Sequence, residues 1–314
     1  MQQNTDTSEA QRAKRRRQLI ATMLAILAIL GIVALLAWLT GRPPLFPPRA
    51  RLQRTLTATA AGSPADTPRF HRVALAPDGT TVAAGSLDGG IWLWNLDETG
   101  DGTESWTLKT EAGVERLAFS NDGRTLAALQ HDMTVQTWRL PDQAIEKITE
   151  LPPGRPVDLV YDATDRLLLG VAEGDNVNLY DVHTGDQVRQ IAFPFQPSMA
   201  AIHPDQQQIV VQATRQEGDG HTIETGVFTF AGDLLAPACR WLFPPQFVQF
   251  SPDGNQVTVE TPAGASLYRR DNCGKRTLLQ SNAGFANGAS FSADGGLLAL
   301  AWTDGAVQVW RVGN

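Results

Sequence analysis

Cysteine is nearly absent: Cys239 and Cys273 are the only two in 314 residues. Two cannot build a disulfide framework or a four-cysteine zinc site, although they allow one bridge in an oxidising compartment. Histidine is scarce too, at 71, 131, 183, 203 and 221, and no pair stands at metal-ligand spacing or beside a cysteine. There is no Gly-x-Ser-x-Gly elbow and no phosphate-cradling glycine loop. The reading is therefore a noncatalytic protein with no cofactor. Glu217, Asp219 and His221 gather in RQEGDGHT, which reads as a solvated loop. Bases are also few in the main body. Of the 26 Lys/Arg and 33 Asp/Glu, residues 55–314 hold 17 and 31, a net of −14, while residues 1–54 carry a net of +7. An acidic body excludes nucleic acid as its partner, because phosphate binding needs a basic face.

One long apolar run is present. Residues 19–40, LIATMLAILAILGIVALLAWLT, contain no charge. As a helix rising 1.5 Å per residue they span about 33 Å, enough for a hydrocarbon core of about 30 Å. Trp38 sits near one end, at headgroup level. A cleaved export signal is the alternative; the length of the run and the lack of a small-x-small site before TGRPP favour a retained anchor. Arg15, Arg16 and Arg17 crowd one flank, and Arg42, Arg49, Arg51 and Arg54 follow the other. The positive-inside rule then sets residues 1–18 as a cytoplasmic tail and the body on the periplasmic or extracellular side; the reverse, a cytoplasmic body, is the alternative. The spacer 41–50 holds four prolines and reaches roughly 30 Å when extended. It keeps the body near the bilayer, with Arg42 and Arg49 placed to meet lipid headgroups.

The body repeats itself. Matching turns carry Asp78, Asp122, Thr164, Asp205, Asp253 and Asp294, spaced by 44, 42, 41, 48 and 41 residues. Each unit reads as strand, polar turn, strand, turn, strand and a weaker fourth strand, the signature of a propeller. Turns such as FSPDG, and an aspartate six residues before an aromatic (Asp88–Trp94, Asp132–Trp138, Asp304–Trp310), resemble WD40 repeats. Tyr180 and Tyr268 hold the aromatic place in the third and fifth units. No unit opens with a Gly-His pair, so the chain looks like a divergent, bacterial-type member. Ser86, Asp88 and Gly90 also match the opening of a sialidase box, but Trp92 falls one residue early and no other unit repeats the match.

The resemblance implies an all-β, six-bladed WD40-like propeller over residues 51–314, following the transmembrane helix, with the last blade completed by an N-terminal strand. RTLTATAAG (Arg54–Gly62) aligns without gaps to RTLLQSNAG (Arg276–Gly284), the fourth strand of the fifth unit, which identifies that closing strand. It further implies that protein partners, membrane or envelope proteins for an anchored ring, dock on the loops of one face. Three such loops are proline-rich: Pro152 and Pro153 in ELPPGRP, Phe193 and Phe195 in FPFQPS, and Phe243 and Pro244 in FPPQ. Prolines hold loop shape, and aromatics supply contact area. Trp92 joins this candidate set, since its counterparts Gln136, Asn178, Ser266 and Gln308 are polar and point to an accessible position. A glycan- or ligand-sensing ectodomain is the second reading.

Overall fold

Among the described residues every strand belongs to one of six four-stranded antiparallel sheets. The computed structural model describes residues 50–58, 68–97, 106–140, 142–203, 208–217, 220–241, 247–261, 264–269, 275–279 and 285–312. β1 (Arg51–Thr57) comes first. Blade 1 holds β2 (Phe70–Leu75), β3 (Thr81–Ser86), β4 (Gly90–Asn95) and β5 (Trp106–Lys109). Blade 2 holds β6 (Val114–Phe119), β7 (Thr125–Gln130), β8 (Thr134–Arg139) and β9 (Ala144–Glu150). Blade 3 holds β10 (Arg155–Tyr161), β11 (Leu167–Glu173), β12 (Asn176–Asp181) and β13 (Gln187–Ala192). Blade 4 holds β14 (Pro197–Ile202), β15 (Gln208–Glu217), β16 (Gly220–Thr229) and β17 (Leu234–Trp241). Blade 5 holds β18 (Val248–Phe250), β19 (Gln256–Thr261), β20 (Gly264–Arg269) and β21 (Lys275–Leu279). Blade 6 holds β22 (Ala286–Phe291), β23 (Leu297–Trp302) and β24 (Ala306–Arg311), with β1 as its outer strand.

The inner strands β2, β6, β10, β14, β18 and β22 neighbour one another around a full circuit, so the blades form a closed six-bladed ring. β1 pairs antiparallel with β24, from Arg51 opposite Arg311 to Thr57 opposite Ala306. Closure by an N-terminal strand thus stands as the alignment of Arg54–Gly62 implied. It covers the ladder edge that β24 would otherwise expose.

Six apolar clusters fill the six seams between blades. The third-strand aromatic drives this packing. Trp94 and Trp138 are 1% and 2% exposed, and each packs against the preceding blade. Phe228, buried in the seam between blades 3 and 4, fills this place in the fourth unit, where the sequence reading assigned none. The turn aspartates do local work. Asp122 accepts hydrogen bonds from the Ser120 hydroxyl at 2.7 Å and the Arg124 N–H at 2.9 Å, and Asp294 accepts from Ser292 at 2.6 Å and Gly296 at 2.8 Å. In the third unit Asp162 takes over, accepting from Thr164 and Arg166 N–H at 2.8 and 3.0 Å. Asp165, at φ 64°, adopts the left-handed conformation that glycines 79, 123, 254 and 295 adopt in the other turns.

The insertion around RQEGDGHT is a hairpin and not a loop. β15 and β16 run ten residues each and pair out to Glu217 opposite Gly220, so the ladder extends through most of that stretch; Asp219, like Asp205, lies outside the described residues. Residues 1–49, which include Arg15, Arg16, Arg17, Trp38, Arg42 and Arg49, lie outside the described residues, as do Phe243, Pro244 and Cys273. Among the described residues no helix is long and apolar enough to cross a membrane.

Candidate functional site

Inner strands pose a hydrogen-bonding problem. One edge of each pairs with its own blade, and the other faces the channel, where its backbone groups still need partners. Five of the six carry a register shift at the same place: between Phe70 and Arg72, Val114 and Arg116, Pro156 and Asp158, Pro197 and Met199, and Ala286 and Gly288. Each bulge leaves one extra residue out of the ladder: His71, Glu115, Val157, Ser198 and Asn287.

The carbonyls freed by these bulges are the ones that arginines collect. Arg72 donates from Nε to Glu115 O at 2.7 Å and from Nη1 to His71 O at 3.0 Å and Asn287 O at 2.9 Å. Arg116 donates from Nη1 to Glu115 O at 2.7 Å and from Nη2 to Val157 O at 3.1 Å. Further along, Asp158 Oδ2 accepts the Ile202 N–H at 2.7 Å, and Arg155 donates to Pro197 O. At the other end Asn287 Nδ2 donates to Phe70 O at 3.1 Å. Side chains thus stitch blades 6, 1, 2, 3 and 4 in series. A planar five-donor fork suits several carbonyls at once, which an ammonium cannot match.

Around this belt sits a charged mouth. The Glu115 carboxylate lies 3.0 Å from His131 Nε2, 3.5 Å from Arg116 Nη1 and 3.7 Å from Arg72 Nη2. Burial, reinforced by Arg72, Arg116 and His131, lowers the His71 imidazole to about 3, so it is neutral at pH 7. Burial raises the Asp158 carboxyl to about 6, against the pull of the Ile202 N–H, the Arg116 charge and the Leu159 N–H. Below these groups the channel encloses only about 100 Å³. Ligand pockets run from about 300 Å³ upward, so the channel suits a few waters and the belt is structural.

The two shifts have opposite consequences for stability. A carboxyl whose folded value lies above its unfolded 3.8 binds more protons when folded, so Asp158 weakens the fold as pH rises from about 4 to about 6. His71, lowered from 6.5 to about 3, strengthens it as pH rises across that wider window. The difference in thermal midpoint between Asp158→Asn and wild type isolates the first effect. It is expected to move in the variant's favour from pH 4 to pH 6.5 and stay level above; a constant difference across that range would contradict it.

The loop face lies at the end where fourth strands lead into the next inner strands and second strands turn into third. Pro152 and Pro153 are exposed there. Two apolar residues not singled out from sequence join them: Leu87 in the β3–β4 turn and Phe285 ahead of β22, 54% and 53% exposed. Their signal was positional. Leu87 stands where other units have His131, Gly174 and Thr303, and Phe285 stands where the second unit has Gly113.

Two expectations for this face are corrected. Phe193 is 5% exposed; it stacks on Phe195 at 5.7 Å and meets Phe228 edge-on at 5.3 Å. Phe195 is half-buried in the same seam and meets Phe228 at 5.6 Å. Both therefore pack between blades 3 and 4. Trp92 is half-buried and meets Phe70 edge-on at 5.3 Å. Its polar counterparts Gln136, Asn178, Ser266 and Gln308 are 5%, 2%, 0% and 8% exposed. That position is buried: Trp92 packs into the seam between blades 6 and 1, and Asn178 is held within its own blade by Gln190 at 3.1 Å and Glu173 at 3.0 Å. Among the described residues, no cluster of His, Cys, Asp and Glu is arranged to hold a metal ion.

The geometry defines a class, a closed six-bladed β-propeller, and the comparisons agree. The family model "WD domain, G-beta repeat" matches residues 64–95. WD repeat-containing protein 1 of Gallus gallus is 34% identical over 74 residues, 24% of this chain and 12% of that protein. The ribosome biogenesis protein WDR12 homolog of Drosophila virilis is 25% identical over 126 residues, 36% of this chain and 30% of that protein. The chain thus spans less than a third of either relative. The Myceliophteria thermophila Cps50 (Swd1) beta-propeller domain superposes with a TM-score of 0.61 over 84% of this chain and all of that one, at 15% identity, a likeness of fold. The chain is a divergent WD40-like propeller.

Proposed function

We propose that this protein is a noncatalytic docking platform, held at a membrane by residues 19–40, whose loop face binds a membrane or envelope protein. The observation that carries this reading is the exposed rim: Pro152, Pro153, Leu87 and Phe285 stand out on one face of a ring stitched rigid from within. Pre-set loops lose little freedom on binding, and a rigid scaffold presents them without reorganisation. Repeats of the WD40 type support a protein as the partner. The membrane placement rests on the charge-free run and its arginine flanks, with residues 1–18 cytoplasmic and the propeller on the exoplasmic side.

A photo-cross-linking residue placed at Pro153 or at Leu87 in intact cells tests both halves. Both positions are expected to capture the same protein from the membrane fraction, while the same label at Asp233, an exposed residue in the β16–β17 turn at the opposite end of blade 4, captures none of it. Equal capture at Asp233, or none at either loop position, would remove the docking face.

A further inference from the structure

A second site lies at the end of the ring opposite the loop face. Between blades 2 and 3 a cleft of about 560 Å³ opens outward, well inside the range for ligand sites. Its blade 2 wall is set by a β-bulge. The register shift between Thr137 and Trp138 places Glu146 at the bulge, turns Ile145 and Ile148 to the side of Trp138, and leaves Lys147 and Thr149 on the cleft side with Thr137. Tyr161, the last residue of β10, forms part of the facing wall beside the turn that carries Thr164 and Asp165.

The cations already in the cleft are engaged. Lys147 Nζ donates to His183 O at 2.6 Å and lies 3.3 Å from its Nδ1. Arg166 Nε donates to Asp162 Oδ2 at 3.0 Å and lies 3.9 Å from Asp181 Oδ2. What stays open is negative or neutral. The Glu146 carboxylate and the Tyr161 hydroxyl have no hydrogen-bond partner among the described residues, and Asp165 spends one oxygen on the Asn121 N–H at 2.8 Å. Burial, with the charges of Asp165, Glu146 and Asp122, pushes the Tyr161 phenol up, so it remains a neutral hydroxyl.

We propose that this cleft binds a basic side chain, a lysine or arginine presented by a protein partner. The cavity supplies depth, Tyr161 an aromatic wall with a free hydroxyl, and Glu146 and Asp165 the counter-charge. The net charge of −14 on residues 55–314 steers basic partners toward the ring from a distance. This site stands apart from the loop face, so either can fail alone: cross-links at Pro153 test that face and do not touch the cleft.

The test uses the full chain and ligand-observed saturation-transfer NMR with Nα-acetyl-lysine methylamide, Nα-acetyl-arginine methylamide and the uncharged norleucine analogue, each at about 10 mM, the weak end of the affinity scale. A signal from one or both basic probes, and none from norleucine, is expected. Glu146→Gln and Tyr161→Phe should each weaken binding roughly tenfold, the worth of about one charge-assisted hydrogen bond, with the thermal midpoint unchanged. Three results would overturn the proposal: no signal from either basic probe, equal signal from norleucine, or binding undiminished in both variants. Maltose binding in place of the basic probes would also overturn it, since the cleft would then recognise a polyol.

Discussion

Removing Arg51–Thr57 is expected to lower the stability of the propeller by roughly 5 kcal/mol or more, a large share of the 5–15 kcal/mol typical of a folded domain. The loss has two sources. Leu56 is 1% exposed in the seam between blades 6 and 1, beside Val307, Val309 and Trp94. Truncating a buried leucine alone costs about 2–5 kcal/mol. In addition, β24 loses its outer partner along the whole stretch from Ala306 to Arg311, and its open edge becomes a template for other chains. Urea unfolding of the deletion and of Leu56→Ala should order them: wild type most stable, the point variant intermediate, the deletion least. The deletion should also aggregate. An unchanged midpoint in the deletion would mean that the ring does not depend on this strand.

Arg116→Met should cost about 3–5 kcal/mol, the range for breaking a buried charged network on one side. The variant strands the carbonyl of Val157, which the bulge has already removed from its ladder, leaves that of Glu115 to Arg72 alone, and deprives Asp158 of its nearby cation. Arg116→Lys should recover little, because one ammonium cannot reach both blades as the fork does. Asp158→Asn added to Arg116→Met should cost less than the two separate losses summed, since the carboxylate left without its cation is then gone. Urea midpoints check all three; a lysine variant as stable as wild type would show that charge alone holds the seam.

Much of this architecture could be read from the chain because its signals are local and recur. The turn aspartates report short hydrogen bonds within a few residues, and the third-strand aromatics report a seam that every blade must fill. The closing strand was legible because it copies a fourth strand elsewhere in the sequence. Other features were hidden for physical reasons. Gln136, Asn178 and Gln308 read as accessible because polarity on a strand usually marks the solvent side; in a propeller both faces of a blade pack on neighbours, so these positions are buried. The same double burial took Phe193 and Phe195 inward. The bulges of the inner strands shift register by one residue and leave the repeat period intact, so the roles of Arg72 and Arg116 could not be seen before their carbonyl partners were placed. The stretch 215–222 looked like a loop because its polar sequence resembles one, whereas β15 and β16 carry their ladder through it to Glu217 opposite Gly220.

The central claim is that the ring is fastened by β1 on β24. Arg51 and Arg311 face each other across that pair, are both exposed, and lie 260 positions apart in the chain. In a Cys239→Ser/Cys273→Ser background, Arg51→Cys with Arg311→Cys should form an intramolecular disulfide under mild oxidation, seen as a faster-migrating monomer that reductant reverses. Arg51→Cys with Arg139→Cys should not. Failure of the first pair to link, or linkage only between separate molecules, would contradict the closed ring.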